Sequence, residues 1–496
     1  MTTTGGSSPH VVIVGGGIAG LAAAFFLRDA TVGGAPVRVT VLEGSPRLGG
    51  KLSASQVAGV SMDEGAEALL ARRPEGLDLI TATGLGEGLV PAGTTSSAIW
   101  TRGAMRALPR RQFMGVPADV EELAGTGVVS HQGIERARQE TRVERDGDVS
   151  VSQVIGGALG PEVVDRLVDP LLGGVYAGRS EDLSFDATLA PLAAATRKRA
   201  VLTEAASALL PPGGATPRIP PTGPPGPAGP GAKPAPVFVT LTTGLGTLPG
   251  TLATASGAQV RTGAMVRELA RTPSGWRLTV GSAADPEYLD ADAVILACPA
   301  TPAARLLAAT APGASAALGE IPYASMAIIT LAYKAAGVFL EHSPDAGRSG
   351  YLVPAVDGKA VKAATFSTVK WPHLAKPAAC AGSPVHIVRC SVGRIGEVAL
   401  LQRDDADLVA IAAAELAEAT GVTGRPVESR VTRWGGGLPQ YNVGHLDRVA
   451  RIRAAIAGQP GLAVAGAAYD GVGIPACIAT ARTAADQVLA HVTGMT

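Results

Sequence analysis

The sequence predicts an α/β fold, a doubly wound and mostly parallel sheet into which further segments are inserted. Three observations predict it. A short apolar run, His10–Val14, leads through the glycine turn 15–20 into an Ala-rich helical stretch, residues 21–29. A second apolar run, 37–42, follows, so strand, helix and strand fit within roughly 35 residues, the size of the first unit of a doubly wound sheet. Near the other end, residues 461–465 repeat the pattern of strand, glycine turn and helix, the helix closing over 476–492. A chain that begins and finishes in one style assembles one sheet from distant pieces and carries its other parts between them.

Composition sets the bounds. At 496 residues the chain has room for two or three hydrophobic cores. Lys+Arg and Asp+Glu both number 42, so no basic field draws nucleic acid, and a small-molecule partner is the default expectation. Cys298, Cys380, Cys390 and Cys477 form neither a C-x-x-C pair nor a zinc spacing, which argues against a disulfide framework, a redox dithiol or a structural metal. The seven histidines show no H-E-x-x-H or other paired spacing, so no metal is expected. Residues 11–27 carry no charge, yet no Lys or Arg precedes them and glycines interrupt them at a turn, so they read as neither a signal peptide nor a membrane span. A cytoplasmic protein without a membrane span is expected.

Between the two ends the texture changes. Residues 74–210 read as mostly helical, with segments such as 163–168 and 189–209 broken by Gly and Pro. Residues 211–236 (PPGGATPRIPPTGPPGPAGPGAKPAP) are of low complexity, contain nothing that packs a core, and read as a loop or linker. Strand-like runs follow at 237–242, 259–262, 276–280, 293–297, 328–333 and 386–390, and an amphipathic helix at 404–419.

The chemistry begins in the first turn. Gly15, Gly16, Gly17, Ile18, Ala19 and Gly20 form a G-x-G-x-x-G between two strands, and Glu43 ends the second strand. Gly15 permits the tight turn, Gly17 lets backbone N–H groups approach a pyrophosphate, and Gly20 allows close packing of helix on strand. The helix N-terminus supplies partial positive charge to the phosphates, and Glu43 accepts hydrogen bonds from the ribose hydroxyls. FAD and NAD both fit this much. The stretch EGSPRLGGK then places Gly44, Arg47, Gly49, Gly50 and Lys51 just past the ribose acid, a second glycine turn with two cations that suits the longer cofactor, FAD. The bland reading of Arg47 and Lys51 is surface charge.

At this point the chain resembles the flavin amine oxidase and protoporphyrinogen oxidase superfamily. Residues 62–74 (MDEGAEALLARRP), 170–178 (PLLGGVYAG), 183–188 (LSFDAT), 366–372 (FSTVKWP), 434–445 (WGGGLPQYNVGH) and 466–483 (GAAYDGVGIPACIATART) are similar to the bacterial porphyrinogen oxidases within it. By that resemblance FAD contacts fall on residues 15–20, Glu43, Gly44, Lys51, Gly65, Ala66, Glu67, Ala68, Val266, Trp434, Val472, Gly473 and Ile474, with Arg47 and Gly50 in the second turn. Residues 471–475 open the last helix, with Pro475 suited to its first turn, so its N–H groups and dipole can face the flavin where negative charge grows on reduction.

Neither a second G-x-G-x-x-G nor a dithiol is present, so dioxygen rather than NAD(P)H is the expected electron acceptor, which makes the expected enzyme an oxidase. The resemblance implies a porphyrinogen substrate oxidised to the porphyrin in haem biosynthesis, with hydrogen peroxide as co-product. The cofactor carries the hard step, so no catalytic side chain is singled out. Coproporphyrinogen III and protoporphyrinogen IX compete as substrates, and the resemblance to the actinobacterial type implies the first; a flavin amine oxidase is the further alternative. Coproporphyrinogen carries four propionates, and the candidate anchors are Arg73, Lys370 and the cluster Arg102, Arg106, Arg110 and Arg111, each with the alternative of a solvated surface charge. Arg73 stands where some relatives carry lysine, and as an arginine it serves as an anchor rather than a proton carrier. The expected organisation is a Rossmann-type FAD-binding domain in three parts (9–73, 237–300 and 456–496). Around it stand a helical subdomain (74–210), the low-complexity loop (211–236) and an inserted α+β substrate-binding domain (301–455).

Overall fold

The computed structural model describes residues 8–210, 236–334, 347–375 and 385–494. The stretch read as a loop lies outside the described residues except for its last position, and so does Cys380.

Five strands form the parallel sheet, in the order Gln259–Arg261, Arg38–Leu42, His10–Val14, Ala293–Leu296 and Leu462–Val464. Side chains alternate across a strand, so each run supplies both faces. Val11, Ile13, Val39, Val41, Ile295 and Ala463 pack under three helices, Ile18–Leu27, Leu248–Ser256 and Ile474–Val492. The first helix is apolar all round because it lies between the sheet and the last helix. Ala22, Ala23 and Ala24 are fully buried there, small enough for two helices to approach closely. Val12, Val14, Leu42, Val294 and Leu296 pack on the opposite face, against the helices Ala300–Leu307, Pro312–Gly319 and His445–Ala457 and a three-stranded antiparallel sheet.

A seven-stranded sheet forms the second layer system, in the order Ala104–Ala107, Ser97–Thr101, Gly350–Leu352, Val361–Phe366, Val385–Val392, Tyr323–Lys334 and Glu428–Pro439. The helix Asp405–Thr420 covers one face through Leu408, Ala412, Leu416 and Ala419, a stripe of two four-residue steps and one of three. Gly421, with φ +73°, closes that helix by donating its N–H to Ala417 O. A third core, built from residues 113–209 with Tyr441, is helical and includes two single-turn π segments, Ser152–Gly156 and Val164–Val168.

The segment 74–210 is therefore not uniformly helical. Residues 97–107 form a hairpin that extends the seven-stranded sheet. Thr101 pairs with Ala104 across a two-residue loop in which Arg102 and Gly103 have φ +55° and +69°. Two central residues at positive φ match a type I′ turn, and Gly at the second is its local signature. The segment 301–455 also divides differently, since its first two helices and its last one cover the nucleotide-type sheet.

Candidate active site

The glycine turn has the geometry its sequence implies. Gly15 has φ +114°, and a Cβ there would stand 2.7 Å from Ala297 O. A Cβ on Gly20 would stand 1.9 Å from Gly15 O, so only glycine lets the helix sit this close to the strand. Gly17 differs, because a Cβ on it would meet no atom within 4 Å. It caps the first helix without a side-chain partner and faces an open cradle. Glu43 lies across the mouth, accepting hydrogen bonds from Gly16 N and Ser45 N, both at 2.7 Å.

The second turn docks on the first. Gly49 donates its N–H to Gly16 O at 2.8 Å, with φ +103° at Gly49 and +56° at Gly50. Arg47 holds this turn closed, donating to Gly50 O at 2.9 Å, and its guanidinium sits 5.7 Å from the Trp434 ring centre. Lys51 has no ion pair among the described residues, and burial pushes its ammonium below the ordinary lysine value. Gly44 packs under Met265, and its neighbour Glu43 accepts the N–H of Ala264, which brings the strand Val266–Thr272 beside this end of the site.

Residues far apart in sequence complete the wall. Ala66 donates to Lys51 O at 3.2 Å, and a Cβ on Gly65 would stand 1.9 Å from that same oxygen and 3.2 Å from the Trp434 ring. The Trp434 indole donates to Glu64 O at 3.1 Å. Gly473 caps the last helix, again with no side-chain cap, and the Tyr441 hydroxyl ties the preceding loop by accepting from Gly471 N and donating to Ala467 O, both at 2.7 Å. Val472 packs on the helical core and Ile474 is buried behind the helix start.

Two glycine turns, two helix N-termini without side-chain caps, a carboxylate at a strand end and a half-buried lysine without an ion pair among the described residues thus lie together. That set fits a dinucleotide with a flavin, since open backbone N–H groups and Lys51 suit phosphate and the last helix suits a flavin carbonyl. Glu67 and Ala68 lie in the loop between the strands Val60–Asp63 and Leu69–Leu70, and the Glu67 carboxylate is held by two cations. It is buried between Lys370, at 2.7 Å, and Arg389, which also donates to Gly65 O at 2.7 Å. Burial alone would raise this carboxyl, but the two cations outweigh burial and hold it down at about 2.

Two of the candidate propionate anchors, Lys370 and Arg73, pair with carboxylates. Lys370 is spent on Glu67, and Arg73 forms a half-exposed ion pair with Glu75 at 2.7 Å. Arg102 is the hairpin tip, Arg106 donates to Thr101 O, Arg110 takes a carboxylate oxygen of Glu122 on its own N–H, and Arg111 donates to Ser207. Arg389 and Tyr441 escaped the sequence reading. An arginine in the middle of the apolar run VHIVRCSV was the available signal for the first; the second carried none.

Beside Trp434 a cleft opens along the seven-stranded sheet, on the face away from the helix Asp405–Thr420. Register places Leu352, Ala363, Ser391, Ile328 and Thr432 in one row across it. The helix Asp169–Tyr176 lies over the row, where a Cβ on Gly174 would be 3.7 Å from Leu352. Gly174 and Val175 are exposed, and Leu352, Ala363 and Ser391 half-buried, so solvent enters between helix and sheet.

Fold and site define a flavoprotein oxidoreductase, a dinucleotide-binding sheet joined to a second sheet that walls a cleft. The family model for flavin containing amine oxidoreductases matches residues 18–489, and the chain belongs to that family. It is similar to the coproporphyrinogen III oxidases of Mycobacterium tuberculosis (35% identity, 96% of each chain) and Bacillus subtilis (30%, covering 97% of this chain and 98% of that one). It is also similar to the protoporphyrinogen oxidase of Bos taurus, at 29% over 97% of this chain and 98% of that one. Among solved structures, a putative protoporphyrinogen oxidase from Exiguobacterium matches with a TM-score of 0.81 and 29% identity, covering 98% of this chain and 99% of that one. The protein is an FAD-dependent oxidase. Among the described residues no helix is long and apolar enough to cross a membrane.

Proposed function

We propose that this enzyme oxidises coproporphyrinogen III to coproporphyrin III in haem biosynthesis, with dioxygen as acceptor and hydrogen peroxide as co-product. The observation that carries this reading is similarity at 35% identity to a coproporphyrinogen III oxidase, over 96% of each chain. Hydride acceptance from a meso carbon and return of the electrons to dioxygen are the chemistry FAD supplies when bound. The chain's own residues bind and orient. Residues 15–20 and 49–51 receive the pyrophosphate, Glu43 the ribose, and the start of the last helix the flavin carbonyl. The cleft between the row Leu352–Ala363–Ser391–Ile328 and the helix Asp169–Tyr176 takes the macrocycle, its apolar floor excluding water beside Trp434. A cytoplasmic setting is supported by the cysteines, since Cys298, Cys390 and Cys477 are free.

Protoporphyrinogen IX is the second reading, favoured by the names of the bovine and Exiguobacterium relatives. Initial rates measured with each porphyrinogen, prepared anaerobically and mixed with oxygenated enzyme, separate the two. A kcat/KM for protoporphyrinogen equal to or above that for coproporphyrinogen rejects the first reading and leaves the oxidase class intact. The putrescine oxidase and cyclohexylamine oxidase structures that resemble this chain do so at 15–17% identity and share its fold alone.

A further inference from the structure

We propose that Lys362 is a substrate-binding residue that holds a propionate carboxylate at the end of the cleft remote from Trp434. The inference rests on the reading of the cleft as the porphyrinogen site and names the group that selects a substrate rich in carboxylates.

Lys362 lies in the strand Val361–Phe366, whose register against Val385–Val392 slips between Val361 and Ala363. One extra residue on one strand is a bulge, and a bulge re-aims the side chain it carries. Val361 and Ala364 pack with the helix Asp405–Thr420, whereas Lys362 reaches the other way and its ammonium lies 3.5 Å from Gly173 O on the helix that covers the cleft. Its neighbour Ala363 is in the cleft row, paired with Leu352 and Ser391.

The residue is only 4% exposed, yet it forms no ion pair among the described residues. Lys370 and Arg73, by contrast, pair with Glu67 and Glu75. Arg394, whose charge acts on Lys362, is itself bonded to Glu397 and to the carbonyls of Lys359 and Val353. A buried ammonium without a counter-ion is costly, and a chain that keeps one at a cleft wall gains when an anion arrives. The free protein shows that cost: burial, with a smaller push from Arg394 against a pull from Glu397, brings the Lys362 ammonium down to about 7. A bound carboxylate opposes both effects and favours the charged form.

The test compares wild type with Lys362→Met, which keeps the apolar stem, and Lys362→Arg, which keeps the charge. With FAD content equal across the three, Lys362→Met is expected to raise the KM for coproporphyrinogen III at least tenfold, to change kcat by less than threefold, and to leave the KM for protoporphyrinogen IX less affected. Lys362→Arg is expected to recover most of the loss. An unchanged ratio of the two KM values in the Met variant overturns the proposal. The Met variant is also expected to unfold at a higher temperature than wild type when substrate is absent, because a buried amine held below its ordinary pKa by folding is gone.

Wild type alone provides a second arm. Coproporphyrin III is bound near pH 7.5 in buffers of different ionisation enthalpy, beside its tetramethyl ester. Net proton uptake with the free acid and none with the ester supports Lys362; equal uptake with both, or none with either, overturns it. Wild type that turns over neither porphyrinogen would instead reject the substrate reading on which the inference rests.

Discussion

Glu67 stands between Lys370 and Arg389, with the Asp63 carboxylate also acting on Arg389, so its charge joins three elements. Glu67→Gln leaves two buried cations facing each other, and breaking a buried pair in this way costs about 3–5 kcal/mol. The variant is expected to show a lower thermal midpoint than wild type, and an unaltered midpoint would show that water already screens the triad. The pH dependence has a definite sign. The folded carboxyl is depressed from 4.5 to about 2, so its ion pairs add stability at neutral pH, and that contribution is lost as pH falls from about 4.5 through about 2. At the cofactor, Gly17→Val would put a branched side chain into the empty space before the first helix, where a pyrophosphate must approach. The purified variant should be colourless, and yellow protein with full FAD content would refute the placement.

Elements meet the cofactor through loops that other elements hold. Tyr441 stacks on His445 at 3.8 Å, lies 5.5 Å from Tyr176, and clamps the loop before the last helix by two hydrogen bonds. Tyr441→Phe keeps the rings and loses the clamp, about 0.5–1.5 kcal/mol for each bond. FAD affinity should fall roughly tenfold, which is about 1.4 kcal/mol, in a fluorescence titration of apo-protein. Unchanged affinity would mean that the helix start holds its shape unaided. At this scale the sequence was legible wherever period and turn chemistry were both strong. The strand His10–Val14 has its expected bounds, and the helix expected over 404–419 spans Asp405–Thr420. The hairpin 97–107 was hidden because its strands are short and its Arg-Gly turn is less diagnostic than Asn-Gly.

Five separate stretches, residues 15–20, 43–51, 65–68, 434 and 471–474, form the proposed cofactor site. A ligand that binds only the folded state stabilises it by RT ln(1 + [L]/Kd), about 2.7 kcal/mol at a hundredfold excess over Kd. Stripping FAD is therefore expected to lower the unfolding midpoint, and adding it back to restore the midpoint in proportion to log concentration. A midpoint indifferent to FAD would place the cofactor outside the concavity formed by these stretches.

By itself the sequence determined what acts locally: the glycine turn between two strands, the acid at the second strand's end, the Pro-started last helix, and an uncharged first helix fit only for burial. These follow from backbone sterics and side-chain period within a dozen residues. Tertiary structure alone decided which charges are free. Lys370 and Arg389 lie hundreds of positions from Glu67, and no local pattern says that they meet; their meeting turned one expected anchor into a structural cation. Lys362 shows the reverse, an ordinary lysine in sequence that a one-residue bulge aims toward a helix carbonyl. Register between distant strands sets these encounters, and register is a property of the assembled sheet.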